Sequence, residues 1–202
     1  MMFEPSIPTE EVRIAVSLPI INSIDYGTFI SLDALSKEQL TNSTFDALMV
    51  SGLSPNRKRY LSAVCKELGT LFIAFDNPSN DMLAINDAVS NLIGKLVTNE
   101  VPNNIDLADI KNLMQCSELL YAFNDSRIAL DFLATQKAGE TTGAIYFSHG
   151  RTDMKKCEEI CNELLSHISQ HGNLCFSVFE PGDSECTILL GIPNSHNKCA
   201  SS

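Results

Sequence analysis

Residues 45–75 read FDALMVSGLSPNRKRYLSAVCKELGTLFIAF, and the order of patterns in that stretch decides the fold. Phe45 to Ser51 is a near-continuous apolar run, as in a strand buried on both faces. Gly52 ends it. Pro55 stands where a helix begins, a position that tolerates proline because that N–H lacks a helical partner anyway. The helix is predicted to run to Leu68, with Gly69 as its C-terminal stop. Thr70 to Phe75 is a second buried strand. Strand, helix and strand within about thirty residues make a βαβ unit, with parallel pairing and a right-handed crossover.

Outward from this unit the same periodicities continue. Val12 to Leu18 is β-branched and bounded by Pro19, so it reads as a strand, and Tyr26 to Leu32 is a weaker one. Asp81 to Thr98 is the longest helical pattern, with Ile85, Val89, Leu92, Ile93 and Leu96 on one stripe. A polar loop over Asn99 to Asn104 precedes a short helix, Asp106 to Met114. Leu119 to Phe123 and Gly143 to Ser148 are predicted strands, and Ser126 to Thr135 a helix. Thr152 to His171 is an amphipathic helix ended by Gly172. Leu174 to Phe179 and Cys186 to Ile192 are strands joined through Pro181-Gly182-Asp183, turn chemistry that predicts an antiparallel hairpin. The fold class is α/β, with four expected parts. These are a small parallel α/β domain over 1–80, a central helix and loop over 81–116, a C-terminal α+β domain over 117–193, and a polar, disordered tail over 194–202.

Composition narrows the function. The 202 residues are 44% apolar, enough for a core, and their net charge of −11 is strongly acidic. A chain this acidic is unsuited to neutralising phosphates, so no nucleic-acid partner is expected. An anionic membrane surface is equally poor company. No run approaches the roughly 18 apolar residues of a membrane span. Met1 to Glu11 has no Lys or Arg and is not the basic start of a signal peptide, so a cytoplasmic protein is expected. Seven cysteines at irregular spacing are not a disulfide framework. No metal site and no cofactor are expected.

The residues in this order resemble the FtsZ/tubulin family of filament-forming GTPases. Residues 45–69 are similar to the family's strand, phosphate loop and helix ending in AKELG. Residues 92–114, LIGKLVTNEVPNNIDLADIKNLM, resemble the end of its core helix and the loop after it. The family pattern N-x-D-x-x-D is filled there by Asn104, Asp106 and Asp109. The elements from Ser117 to Ile192 follow the order of its C-terminal domain. The resemblance implies a reduced FtsZ/tubulin-like architecture: a small Rossmann-like half, a long central helix and a C-terminal α+β half.

The departures bear on activity. The family carries GGGTGTG after the strand that Phe45 to Ser51 resembles, and its backbone N–H groups cradle nucleotide phosphates. Here the loop is Gly52-Leu53-Ser54-Pro55-Asn56-Arg57-Lys58, with one glycine and a proline that has no N–H to offer. Leu18-Pro19-Ile20-Ile21 replaces a second glycine cluster. The chain also passes from Phe75 almost directly into the long helix, where the family has a longer nucleotide-contacting segment.

Each candidate site has a structural and a functional reading. Asp106 and Asp109 suit a helix cap beside the positive end of the helix dipole. In the family, the matching carboxylates complete the neighbouring subunit's nucleotide site and polarise the attacking water, so catalysis would be in trans. Asn104, Asp106, Asp109 and Lys111 are accordingly the expected partner-binding set. Gly52, Arg57 and Lys58 are what remains of a nucleotide site. Arg57, Lys58 and Arg59 are otherwise a solvated first helical turn. Cys157 and Cys161 lie on an apolar helix face, where cysteine behaves as a small hydrophobe. His167 and His171 share an i, i+4 spacing at the end of that helix, as C-terminal capping residues. His149 reads as a loop residue.

The expected function is binding: an FtsZ-like protein without its own nucleotide pocket, assembling with itself or capping a genuine FtsZ-type filament in cell division. GTP binding is not expected, nor membrane tethering through the short tail. Two alternatives stand beside this. One is an unorthodox GTPase with a phosphate site built from Arg57, Lys58 and Arg59. The other is an interaction module reusing the fold for an unrelated partner.

Overall fold

The computed structural model describes residues 12–98, 105–115, 117–136, 140–151, 153–182 and 184–193. The strands are β1 (Ile14–Ser17), β2 (Thr28–Phe29), β3 (Ala47–Val50), β4 (Leu71–Asp76), β5 (Leu120–Phe123), β6 (Thr141–His149), β7 (Ile168–Phe179) and β8 (Cys186–Gly191). The helices are α1 (Lys37–Asn42), α2 (Pro55–Leu68), α3 (Met82–Val97), α4 (Leu107–Leu113), α5 (Ser126–Ala134) and α6 (Met154–His167). One eight-stranded sheet runs in the order β2-β1-β3-β4-β5-β8-β6-β7. Its pairings are parallel from β2 to β5 and between β6 and β7. β8 is antiparallel to both its neighbours, β5 and β6. Since β8 reverses direction twice over, the other seven strands all point the same way.

Strand alternation divides the core into faces. Ile14, Met49, Ile73, Leu120, Ile145 and Leu189 turn to one face, where they pack with Ile85, Val89, Leu92, Ile93 and Leu96 of α3. This is one continuous cluster, so α3 is the shared spine of the sheet. Each such aliphatic side chain, fully buried, contributes roughly 1.5–3 kcal/mol. The opposite face is covered in two parts. Leu61, Val64 and Cys65 of α2 lie over Ala15, Leu48 and Ala74. Ala129 and Leu133 of α5, with Cys157, Ile160 and Leu164 of α6, lie over Tyr146, Ile188 and Leu190. Lys95 sits inside α3's packing, 1% exposed, with its Nζ donating to Val178 O at 3.0 Å.

The helix limits follow their caps. Ser54 caps α2, Pro55 opens it, and Gly69 closes it in the left-handed region at φ 74°. Asp81 caps α3 by accepting from Leu83 N and Ala84 N, and Thr98 ends it.

Three expectations are corrected. β7 and β8 do not form a hairpin. β7 pairs with β6 on the outside, and β8 crosses back to sit between β5 and β6. All six residues of β8 are buried, which a strand achieves with neighbours on both sides, and turn chemistry at 181–182 permits a wide crossover as readily as a tight turn. α6 ends at His167, so His171 and Gly172 belong to β7. Gly172 is there for space rather than as a helix stop, because a Cβ would stand 2.4 Å from Thr142 O. His149 is the buried last residue of β6, not a loop residue. The short helix α1 lies between the stretches for which elements were expected; Ser36 caps it by accepting from Gln39 N. The predicted loop over 99–104 and the tail over 194–202 lie outside the described residues.

Candidate functional site

α4 opens with a complete capping box. Asp106 Oδ1 accepts from Ala108 N at 2.7 Å and Asp109 N at 3.1 Å, and Asp109 Oδ2 accepts from Asp106 N at 3.0 Å. The structural reading of both carboxylates is therefore realised. Asp106 and Lys111 are exposed, and Asp109 is half-buried. Asp109 also lines a cleft of about 160 Å³ with Asn112, Thr142, Gly143, Asn173 and Cys175. Cys175 Sγ lies 3.9 Å from Asp109 Oδ1. Burial first, and then the Asp109 carboxylate, push that thiol's pKa up. Asn104 lies outside the described residues.

A second cleft, about 260 Å³, lies at the C-terminal ends of β3 and β4. Val50, Ser51, Gly52, Lys58, Asp76 and Asn80 line it. Open parallel sheets bind ligands at such ends. Gly52 has φ +72°, and a Cβ on it would stand 3.2 Å from Pro19 Cγ, so the glycine serves a tight turn. The donors of α2's first turn are largely used. Pro55 has none, Arg57 N donates to Ser54 Oγ and Lys58 N donates to Ser54 O. The Arg57 guanidinium donates to Leu32 O and, at 2.9 Å, to Leu35 O, which pins the chain before α1. Arg59 donates to Asn56 Oδ1 at 2.6 Å. Of the three consecutive basic residues, Lys58 alone lines the cleft.

The two sets of residues are at opposite ends of the sheet. Thr142 and Gly143, beside Asp109, stand at the start of β6, whereas Gly52 stands past the end of β3. β3 and β6 run in the same direction, so the acidic box and the Gly52 cleft face away from one another.

A third cleft, about 340 Å³, was not foreseen. It lies at the C-terminal end of β6 and includes His149, Arg151, Asp153, Lys156 and Glu185. His149 Nδ1 is 3.0 Å from Ser184 O, and Nε2 is 3.2 Å from Thr187 Oγ1, which accepts from Asn91 Nδ2 at 3.1 Å. A carbonyl only accepts, so Nδ1 carries the proton in the neutral ring, and Nε2 accepts from the Thr187 hydroxyl. This chain of bonds joins α3, β8 and β6. Its members are up to 96 residues apart, and no local pattern links them.

Cys157 is core, and Cys161 packs half-buried beside it. No group of three or more metal-ligating side chains occurs among the described residues. Among the same residues no helix is long and apolar enough to cross a membrane.

No protein-family model and no curated protein matches the sequence. The structure is nevertheless similar to that of a tryptophan-to-tyrosine mutant of FtsZ from M. jannaschii. The TM-score is 0.53 at 13% identity, over 78% of this chain and 68% of that one. The fold is FtsZ-like. CetZ from Methanosaeta thermophila is similar at a TM-score of 0.41 and 15% identity, over 80% of this chain and 55% of that one. An empty FtsZ dimer from M. jannaschii is similar at 0.41 and 17%, over 92% and 55%. The chain thus spans about half the length of the last two. In this FtsZ-like fold α3 is the central helix, and α4 with its capping box is the next described element in sequence.

Proposed function

We propose that the protein works by binding, as an FtsZ-like subunit that has kept one end of the assembly surface and lost the other. The observation that carries this is the opposition of the two ends. An acidic box stands at one end of the sheet. At the other end is a cleft whose loop has one glycine and whose basic residues are mostly tied to the protein itself. Head-to-tail contact joins unlike ends and is heterologous. A subunit with one working end would dock on the exposed nucleotide face of an FtsZ-type filament and offer no face to the next subunit, which makes it a cap. The division into parts at residues 80 and 116 belongs to this reading, as does the role of Asp106, Asp109, Lys111 and Asn104 as the docking set. A second reading, residual nucleotide binding, is favoured by one feature, the presence of Lys58 in the Gly52 cleft. Against it stand the missing loop donors, each charge-assisted bond being worth roughly 1.5–3 kcal/mol.

The test is titration into an FtsZ of the same host, followed by light scattering and phosphate release, with equilibrium dialysis of the protein against GTP. Substoichiometric protein is expected to shorten polymers, since one molecule blocks one end, and GTP is not retained. Asp106→Asn with Asp109→Asn keeps good caps, so the fold stays intact. The double variant is expected to bind filament ends yet lose any stimulation of GTP turnover. No effect of the wild type on polymer mass, length or turnover removes capping, and micromolar GTP binding revives the second reading.

A further inference from the structure

Among the described residues β7 is an edge strand. It pairs with β6 alone, through a regular ladder of Asn173–Phe179 on Gly143–His149. Before that ladder, the four residues 169–172 stand against Thr142 alone, so the strand bulges there. Asn173 O lies 2.7 Å from where a Cβ on Gly143 would stand, so it points at β6. By alternation, Leu174 and Phe176 turn their N–H and C=O outward. Ile168 N–H is taken by Leu165 O at the end of α6, and among the described residues the ladder to β6 is the only strand pairing of Asn173–Phe176. At the far end, Lys95 occupies Val178 O.

Gln170, His171 and Asn173 are exposed at the start of β7, and beyond them the half-covered side chains are apolar. Leu174, Cys175, Phe176 and Val178 are all partly exposed, whereas every residue of β1, β3 and β8 is buried. The flank of α6 adds to them. Lys156, on one side of that helix, reaches Glu185 at the entry to β8, so that side faces the sheet interior. Helical spacing puts Met154, Cys161 and Leu165 on the other side, above the β7 edge. Met154 is 62% and Leu165 50% exposed.

Along its regular ladder, Asn173–Phe179, the strand itself carries neither a charged side chain nor a proline. Natural edge strands are blunted by Lys, Pro or inward charges. Leu164–Phe179 contains no Asp, Glu, Lys, Arg or Pro, and its 16 residues are the longest stretch of this chain without a charged side chain. Two copies that each carry −11 repel one another over most of their surfaces. An uncharged strip is where they meet without that penalty, and a strand edge is complementary to itself when paired antiparallel about a two-fold axis. We infer that the outer edge of β7 and the Met154–Leu165 flank of α6 form the contact surface for a second copy of this chain, the two sheets joining edge to edge. This contact uses neither end of the sheet and is independent of the capping reading.

Sedimentation velocity of the full chain, from micromolar to sub-millimolar concentration, tests it. A monomer–dimer equilibrium is expected, and it strengthens with added salt because screening relieves the repulsion. Leu174→Pro removes an outward N–H that no bond among the described residues uses. Leu165→Glu leaves the strand untouched and puts a charge on the flank. Each is expected to weaken the dimer by about tenfold or more, with unchanged circular dichroism. Asp106→Asn with Asp109→Asn is expected to leave it unchanged. If Leu174→Pro does not fold, Leu165→Glu alone decides. A monomer at every concentration overturns the proposal. So does a dimer indifferent to Leu165→Glu, or an association abolished by the Asp106 and Asp109 variant, which would instead be head-to-tail.

Discussion

Gly94 illustrates how much a single residue depends on a distant neighbour. It lies inside α3, where alanine would ordinarily add about 1 kcal/mol through helix propensity. A Cβ there, however, would stand 2.6 Å from Cζ of Phe179. That ring is 3% exposed and meets His149 edge-on at 6.2 Å between centroids, so it has little room to withdraw. Overpacking a core costs roughly 1–3 kcal/mol, which outweighs the propensity gain. Gly94→Ala is therefore expected to lower the urea midpoint, with a net loss on the order of 1 kcal/mol. Adding Phe179→Leu should recover part of that loss. A more stable Gly94→Ala protein would show that the ring yields freely. From the sequence Gly94 is a weak spot in a helix; its purpose is visible only once β7 is laid beside α3.

Helices illustrate the next scale, because their ends are written locally while their attachments are not. Ser54, Pro55 and Gly69 delimit α2, and Asp106 with Asp109 opens α4. These limits were legible because a cap acts within four residues. The attachment of α6 was not. Lys156 Nζ meets Glu185 Oε1 at 2.6 Å, and Glu185 also accepts from Ser126 N at the start of α5. One carboxylate thus joins two helix starts to the entry of β8. The Lys156 ammonium, chiefly, and the Ser126 N–H hold the Glu185 carboxyl below the usual glutamate range, against the opposing effect of burial. A carboxyl with a lowered folded pKa takes up its proton more readily unfolded than folded. Its contribution is complete above the unfolded pKa and is lost as pH falls through the folded one. Both partners are well exposed, so screening keeps the pair under about 1 kcal/mol. Glu185→Gln is expected to be slightly less stable at neutral pH and equal to wild type in strong acid, read by denaturant unfolding across pH. A constant difference at all pH values would assign the residue's role to packing instead.

At the scale of the molecule, the last strand in sequence is central in space. β8 is the antiparallel link between the parallel strands β2 to β5 and the β6–β7 pair, and every one of its residues is buried. Its Leu189 shares one cluster with Ile14 and α3. Ending the chain after Glu185 should therefore abolish cooperative folding of the whole, rather than free one half from the other. Circular dichroism melts check this, and a truncated chain with a sharp transition and its β1–α2–β4 region intact would contradict it. What the sequence determined by itself is the order and kind of most elements, the caps, and the βαβ unit around residues 45–75. These depend on periodicity and on contacts a few residues apart. The likeness to FtsZ was legible through residues 92–114, where a helix and its acidic cap are adjacent in the chain. What only the tertiary structure decided is strand order, because both β7 and β8 are apolar and turn residues at 181–182 suit either route. It also decided which residues share a cleft. Arg57 and Lys58 are neighbours in sequence, yet one binds carbonyls at 32 and 35 while the other lines a cleft. His149, Thr187 and Asn91 form one chain of bonds across 96 positions. Such meetings depend on which faces of distant elements are laid together, and packing of the whole chain around α3 is what lays them.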